Sequence, residues 1–180
     1  MRRPGEWGVG NGEWGTPLRA GLTLLLLAFL LVPSAGAQWR PVFEWGLHST
    51  GGIRGTDSGI ADGPLSLVVG PRGAIRTLGS TRIALSIGTG SHGEELTARG
   101  EAAIEYLLSP RAARRPGVYL GGGLAGVLGG GKGGYLLAYV GVERSPGLPG
   151  GWALEAGLGG GFRVRLAYHW RKFPRGWRAQ

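Results

Sequence analysis

The feature that most constrains this chain is an alternation of apolar and polar side chains with a period of two residues, repeated along most of its length. In the stretch GFRVRLAYHW, the apolar residues Phe162, Val164 and Leu166 alternate with Arg163 and Arg165. Successive side chains of a β-strand point to opposite faces, so this period predicts a strand whose two faces meet different surroundings.

Eight such runs follow one another after residue 38, separated by turn signals rich in glycine, proline and serine. Only the connections 49–63 and 109–117 have the length for a crossover, so neighbouring strands are expected to be antiparallel. The sequence therefore predicts an all-β, eight-stranded antiparallel up-and-down barrel. A helix over residues 95–108, ELTARGEAAIEYLL, is the one local alternative. The predicted strands are 40–48, 64–75, 81–90, 96–108, 117–127, 134–144, 151–158 and 162–171.

The two faces of these strands differ sharply in chemistry. An eight-stranded barrel encloses space for only modest side chains, so the face with the bulky aromatic residues is predicted to lie outside, against lipid. That face includes Trp45, Trp152, Phe162, Tyr168 and Trp170, and it also carries the glycines Gly100, Gly122 and Gly126. The opposite, lumen-facing parity carries Glu44, His48, Arg82, Arg99, Glu101, Glu105, Glu143, Glu155, Arg163, Arg165 and His169.

Charges inside so narrow a barrel are tolerable only when they are paired and hydrogen-bonded. A three-residue hairpin loop at 159–161 would place Glu155 opposite Arg165, and Glu44 is expected at a similar height across the closing strand pair. We therefore predict a plugged lumen, with a water-filled channel as the alternative. The predicted lumen cluster is Glu44, Arg82, Arg99, Glu101, Glu105, Glu143, Glu155, Arg163 and Arg165, with Arg82 and Arg99 pairing with Glu101 and Glu105.

Residues 1–37 are predicted to be a cleaved signal peptide. They combine early arginines, an apolar run of 13 residues from Ala20 to Val32, and small residues in PSAGA. A membrane anchor is the alternative, although the run is short for a span and Pro33 ends it. Cleavage after Ala37 leaves 17 basic and 9 acidic residues, a net charge of +8, and no cysteine. The barrel is then expected over residues 38–173, followed by a basic tail, 174–180.

In its signal peptide, eight alternating strands and charge-paired interior, the chain resembles the small outer-membrane β-barrels of the OmpA transmembrane-domain, OmpX and OmpW type. Tyr168 and Trp170 in the last strand look like the paired terminal aromatics that barrel assembly machinery recognises in that family. This chain departs from the family by continuing through RKFPRGWRAQ. The resemblance implies export to the outer membrane of a Gram-negative cell, contact with its lipids, and a structural or surface-interaction role. A surface ligand could bind through loop 49–63, and neither nucleic acid nor a cofactor is expected.

Three other functions remain open: a narrow pore, a soluble calycin-like ligand binder, and a lipid A-modifying enzyme. Some outer-membrane barrels of the family that the chain resembles are enzymes of this kind. An enzyme would need a serine, a histidine and an acid near the outer rim. The candidate residues are His48 with Ser49 and Ser91 with His92, oriented by Glu94 or Asp57. Their spacing matches no such enzyme motif, so no catalytic residue is predicted.

The remaining motifs have ordinary interpretations. GVLGGGKG, residues 126–133, is close to a phosphate-binding loop, but Gly133 replaces the required hydroxyl residue and a strand follows, which indicates a hairpin. His48, His92 and His169 fall on separate elements without paired spacing, so no metal site is predicted.

Basic residues are predicted to gather at the barrel rim that holds the chain termini. They could contact anionic phospholipid head groups or acidic cell-wall polymers, or simply be solvated. The residues of this predicted rim are Arg40, Arg72, Arg76, Arg111, Arg114, Arg115, Arg144, Arg171, Lys172, Arg175 and Arg178.

Overall fold

The computed structural model describes residues 41–54, 63–77 and 79–179, and the predicted signal peptide lies outside them. The described residues form eight β-strands and include no helix long and apolar enough to cross a bilayer. The predicted strand at 96–108 is confirmed over the competing helix. The strands are β1 (Val42–Arg54), β2 (Leu65–Arg76), β3 (Thr81–His92), β4 (Glu95–Leu107), β5 (Pro116–Gly129), β6 (Gly133–Arg144), β7 (Gly150–Leu158) and β8 (Gly161–Lys172).

The strands close into an antiparallel barrel in which each pairs with its neighbours in the chain and β1 pairs with β8. This confirms the predicted up-and-down topology. At one end of the barrel, which we call the terminal end, β1 begins, β2 and β8 end, and β3 begins. The connections 108–115 and 145–149 lie at the same end. The other end, which we call the hairpin end, holds the end of β1, the start of β2 and the connections 93–94, 130–132 and 159–160.

Strand β1 is longer than its sequence predicts. The predicted strand stops at residue 48 and a loop follows, but residues 49–54 continue the strand and pair with both β2 and β8. Ser49, Thr50, Gly51 and Gly52 lack apolar alternation, yet their backbone groups are hydrogen-bonded because the barrel supplies a partner strand on each side. The predicted loop 49–63 was therefore wrong over its first six residues.

The hairpin between β7 and β8 has the predicted register. Leu158 pairs with Phe162 and Glu155 pairs with Arg165. Gly160 has a φ of 82° and Gly161 a φ of 135°, which are conformations that glycine adopts without steric cost. The glycine triplet therefore fixes which side chains of β8 point into the barrel.

The outer surface of the barrel is apolar and carries an aromatic cluster near the terminal end. Leu85, Ile87 and Leu136 are among the large apolar side chains that lie at least 60% exposed. Trp152 packs edge-on against Tyr168 at 4.9 Å between ring centroids, and Tyr168 packs edge-on against Trp170 at 4.8 Å. The outer face that the sequence predicts is thus the face the structure exposes.

Glycines line parts of both faces with different consequences. On the outer face Gly100 pairs with Gly126, and a Cβ atom added at either would meet no atom within 4 Å. On the inner face, a Cβ at Gly141 would meet the ring of Tyr119, because that tyrosine lies against the glycine backbone. Inner glycines therefore make room for the large side chains that the lumen contains.

Candidate functional site

The interior of the barrel is a continuous network of arginine–glutamate pairs, and it is the chemically distinctive part of the described chain. Seven arginines face five glutamates there, and all but one of these twelve side chains are at least nine-tenths buried. The exception is Arg99, which lies near the hairpin end with 14% of its side chain exposed. The residues are Arg72, Arg76, Arg82, Arg99, Arg163, Arg165, Arg171, Glu44, Glu101, Glu105, Glu143 and Glu155.

Near the terminal end, Arg82 is the centre of the network. Its Nη1 donates to Glu44 Oε2 and to Glu143 Oε2, each at 2.9 Å. Its Nε pairs with Glu105 across the β3–β4 ladder, where the two residues are register partners. Arg171 pairs with Glu143 on the other side. Three glutamates thus surround one fully buried guanidinium group, which offsets its lost hydration.

In the middle of the barrel, Arg72 joins β2 to the opposite wall. Its Nη1 donates to Glu155 Oε1 at 2.9 Å, and its Nη2 pairs with Glu105. Tyr119 donates to the same oxygen of Glu155 at 2.9 Å, and Tyr139 donates to Glu105 Oε1 at 2.6 Å. These hydroxyls satisfy carboxylate lone pairs that the guanidinium leaves open.

Near the hairpin end, Glu101 collects three arginines. Its Oε1 accepts from Arg99 Nε at 2.6 Å and from Arg163 Nη1 at 2.7 Å, and its Oε2 pairs with Arg165. Arg163 also donates to Glu155 Oε2 at 2.7 Å, which links this part of the network to the middle. A deletion of one member therefore leaves several partners uncompensated.

The terminal end is closed by the chain that follows β8. The rings of Phe173 and Trp177 stack with centroids 4.7 Å apart, and the guanidinium of Arg76 lies 5.5 Å from the Phe173 ring centroid. Arg76 also donates two hydrogen bonds to the carbonyl of Pro146, at 3.0 and 3.1 Å. Trp177 Nε1 donates to the Gly147 carbonyl at 3.1 Å. The predicted tail thus packs over the network.

The structure places eight of the nine predicted lumen residues inside the barrel with relative exposures of 8% or less, and Arg99 near the rim. Arg82 and Arg99 do pair with the two glutamates predicted for them, Arg82 with Glu105 and Arg99 with Glu101. Glu44 lies closer to the terminal end than predicted. It is opposite Arg171 on β8, whereas the residue opposite Arg165 is Thr50. The error arose because the short predicted β1 placed Glu44 at mid-height.

Three residues assigned by sequence to the basic rim belong to the interior. Arg72, Arg76 and Arg171 are buried and paired with glutamates. They lie close to strand ends in the sequence, which suggested a rim position, but their parity within β2 and β8 matches that of other inward residues. Sequence analysis also missed Tyr119 and Tyr139, whose positions alternate with outward leucines and valines. When the alternation of inward and outward side chains is followed over the full strand lengths, it predicts an inward position for all five residues: Arg72, Arg76, Arg171, Tyr119 and Tyr139.

The remaining basic residues do lie exposed at the terminal end, apart from Arg40, which is outside the described residues. Among the described residues, the exposed acids Glu94 and Glu95 lie at the hairpin end instead. The barrel exterior therefore has a basic terminal end. Its residues are Arg111, Arg114, Arg115, Arg144, Lys172, Arg175 and Arg178.

The serine–histidine neighbours considered as catalytic pairs point to opposite faces of their strands. His48 is buried in the lumen while Ser49 is turned outward. Ser91 is exposed on the outer face of β3, and His92 has the inward parity at the hairpin end. Asp57 lies outside the described residues.

One buried group of potential metal ligands does form. Glu44, Glu143 and His169 present ligand atoms within 4.8 Å of one another. Arg82 and Arg171 already pair with both carboxylates, so the cations that this group faces are guanidinium groups. The near-match to a phosphate-binding loop is the hairpin between β5 and β6, in which Lys132 is exposed.

No protein-family model matches this chain, and no curated protein or solved structure shows significant similarity to it.

Proposed function

We propose that this chain is a small integral outer-membrane β-barrel with a plugged lumen and a structural or surface-interaction role in the cell envelope. The observation that carries the proposal is the distribution of polarity: paired charges fill the interior and large apolar side chains cover the exterior. A soluble ligand-binding barrel needs the opposite distribution, with an apolar interior for its ligand. Lipid is the surrounding medium that suits the observed exterior.

The length of the strands and the position of the aromatic residues also support lipid as the medium around the barrel. The strands contain 9 to 14 residues, which suits tilted strands crossing a hydrocarbon layer. Trp45, Trp152 and Trp170 lie on the outer face near the terminal end, where an aromatic girdle at the membrane surface is expected. We place the terminal end in the periplasm, as in barrels of the OmpA transmembrane-domain, OmpX and OmpW type, which the chain resembles.

The partners proposed for the chain follow from this placement. The basic terminal end would face anionic phospholipid head groups of the inner leaflet, whose surface potential attracts arginine. Barrel assembly machinery would insert the chain, and the connection after β1 would be available for surface contact. The proposal includes no catalysis, cofactor or nucleic acid.

The paired interior and the covered terminal end argue for a barrel that does not conduct. An ion crossing the lumen would have to separate buried arginine–glutamate pairs, which is costly in a low-dielectric interior. Structural support of the envelope and contact with other molecules at the surface need no open path.

Two measurements test this proposal together. The full chain is expressed in a Gram-negative host, and its membranes are separated by density and washed with alkaline carbonate. The purified protein is then added to planar bilayers. We expect the protein in the carbonate-resistant outer-membrane fraction, without stepwise conductance. Recovery from the periplasmic fluid would contradict membrane insertion, and stable conductance steps would contradict the plug.

A further inference from the structure

A small polar cavity opens among the strands and turns of the hairpin end. Its volume is about 40 Å³, enough for a few water molecules or one small ion. The charged or titratable side chains among its described lining residues are Arg99, Arg163, His92 and Tyr135, and none of these described residues is acidic. Thr50 and the glycine-rich hairpin backbone form much of the remaining wall.

The network beside this cavity has too few carboxylates for its guanidinium groups. Glu101 pairs with Arg99, Arg163 and Arg165, and Arg163 and Arg165 share Glu155 as a second partner. Glu155, the next carboxylate inward, also pairs with Arg72 in the middle of the barrel. Arg163 is buried, and its Nε atom has no hydrogen-bond partner. Buried positive charge is unfavourable unless negative charge lies close to it, and among the described residues the guanidinium groups at this end outnumber the carboxylates, which favours an anion here.

A hydroxyl group at the cavity also favours the binding of an anion. Thr50 Oγ1 accepts a hydrogen bond from Arg165 Nε at 2.8 Å, so its own proton is available for donation. Arg99 keeps 14% of its side chain exposed while its Nε donates to Glu101. The cavity therefore combines a partly exposed guanidinium group with a hydroxyl donor, and no carboxylate is among its described lining residues.

We propose that this cavity binds one small inorganic anion of about the size of chloride. Arg99 and Arg163 supply the positive charge and Thr50 supplies a hydrogen bond. The anion balances the guanidinium charge that Glu101 and the shared Glu155 leave in excess. The inference concerns only the barrel interior, so it does not depend on which membrane, if any, surrounds the barrel.

Chloride NMR of the folded protein in an uncharged detergent tests the proposal directly. Exchange with a protein site broadens the ³⁵Cl line, and a saturable site shows broadening that falls as chloride or competing sulfate is added. We expect such broadening for the wild type and loss of most of it in Arg99→Gln. Arg99→Lys, which keeps the charge, is expected to retain most of it.

Arg115→Gln is the matched control, because it removes one exposed arginine at the terminal end of the barrel and should leave the saturable broadening unchanged. Circular dichroism and gel mobility establish that each variant is folded. Equal broadening in Arg99→Gln and the wild type would overturn the proposal. Absence of saturable broadening in the wild type would overturn it as well, whether or not Arg99→Gln folds.

Discussion

At the scale of single residues, the barrel depends on charges that cannot reach water and on glycines that have no room for a side chain. Glu105 contacts Arg72, Arg82 and Tyr139 and is fully buried. Gly123 faces inward on β5, and a Cβ there would lie 2.0 Å from the Ala102 carbonyl oxygen on β4. Substitution is therefore expected to be destabilising at both positions, at Glu105 for an electrostatic reason and at Gly123 for a steric one.

Glu105→Gln is expected to lower the free energy of unfolding by roughly 3–5 kcal/mol, because it leaves buried guanidinium groups without a counter-charge. Urea titration of the protein in lipid vesicles, followed by tryptophan fluorescence, measures this change. Glu95→Gln is the control, since Glu95 is exposed at the start of the same strand. Equal, small effects of the two substitutions would show that the buried pairs do not stabilise the barrel.

Gly123→Ala is expected to destabilise the barrel by about 1–3 kcal/mol, the usual cost of overpacking, because the new methyl group would overlap backbone atoms of β4. Gly126→Ala, three residues along the same strand, adds the same group where no atom lies within 4 Å. Urea midpoints of the two variants provide the comparison. Similar midpoints for the two would contradict the close approach of β4 and β5 at Gly123.

At the scale of elements, the chain after β8 acts as a cover for one end of the barrel. Phe173 and Trp177 stack on each other, and Arg76 and Arg111 lie within cation–π distance of Trp177. Such contacts each contribute modestly, on the order of 1 kcal/mol, but together they order a terminal segment that would otherwise fray.

Trp177→Ala is therefore expected to loosen this cover without unfolding the barrel. Limited proteolysis with trypsin should cut after Lys172 or Arg175 at least several-fold faster in the variant than in the wild type, while the barrel core stays intact. Arg178→Ala, an exposed neighbour, serves as the control. Unchanged cleavage in Trp177→Ala would mean that the tail does not pack over the terminal end in solution.

Most strands could be predicted from the sequence because their alternation is strong, as in β8, where arginines and large apolar residues follow one another. The end of β1 could not be predicted, because Thr50, Gly51 and Gly52 do not alternate between apolar and polar residues. These residues are part of the strand because they pair with β2 and β8. The three-residue hairpin loop at 159–161 likewise predicted that Glu155 would lie opposite Arg165. The contacts of Arg72 with Glu105 and Glu155 could not be predicted, because they cross the lumen between strands that are not neighbours.

At the scale of the whole molecule, the barrel has polar, charged side chains inside and apolar side chains outside. A closed barrel leaves no strand edge unpaired, its interior is charged, and its exterior presents leucine, valine, isoleucine and aromatic side chains. Such a surface is stable in lipid or detergent and would promote association in water. Folding and an amphiphilic medium are thus expected to be coupled.

The most direct measurement is gel mobility of residues 38–180 refolded with and without detergent, loaded either boiled or unboiled, with far-ultraviolet circular dichroism on the same samples. The account predicts a β-rich spectrum and a mobility shift on boiling only when detergent is present during refolding. A protein that folds to a β-rich, soluble form without detergent and shows no mobility shift would contradict the lipid-facing exterior.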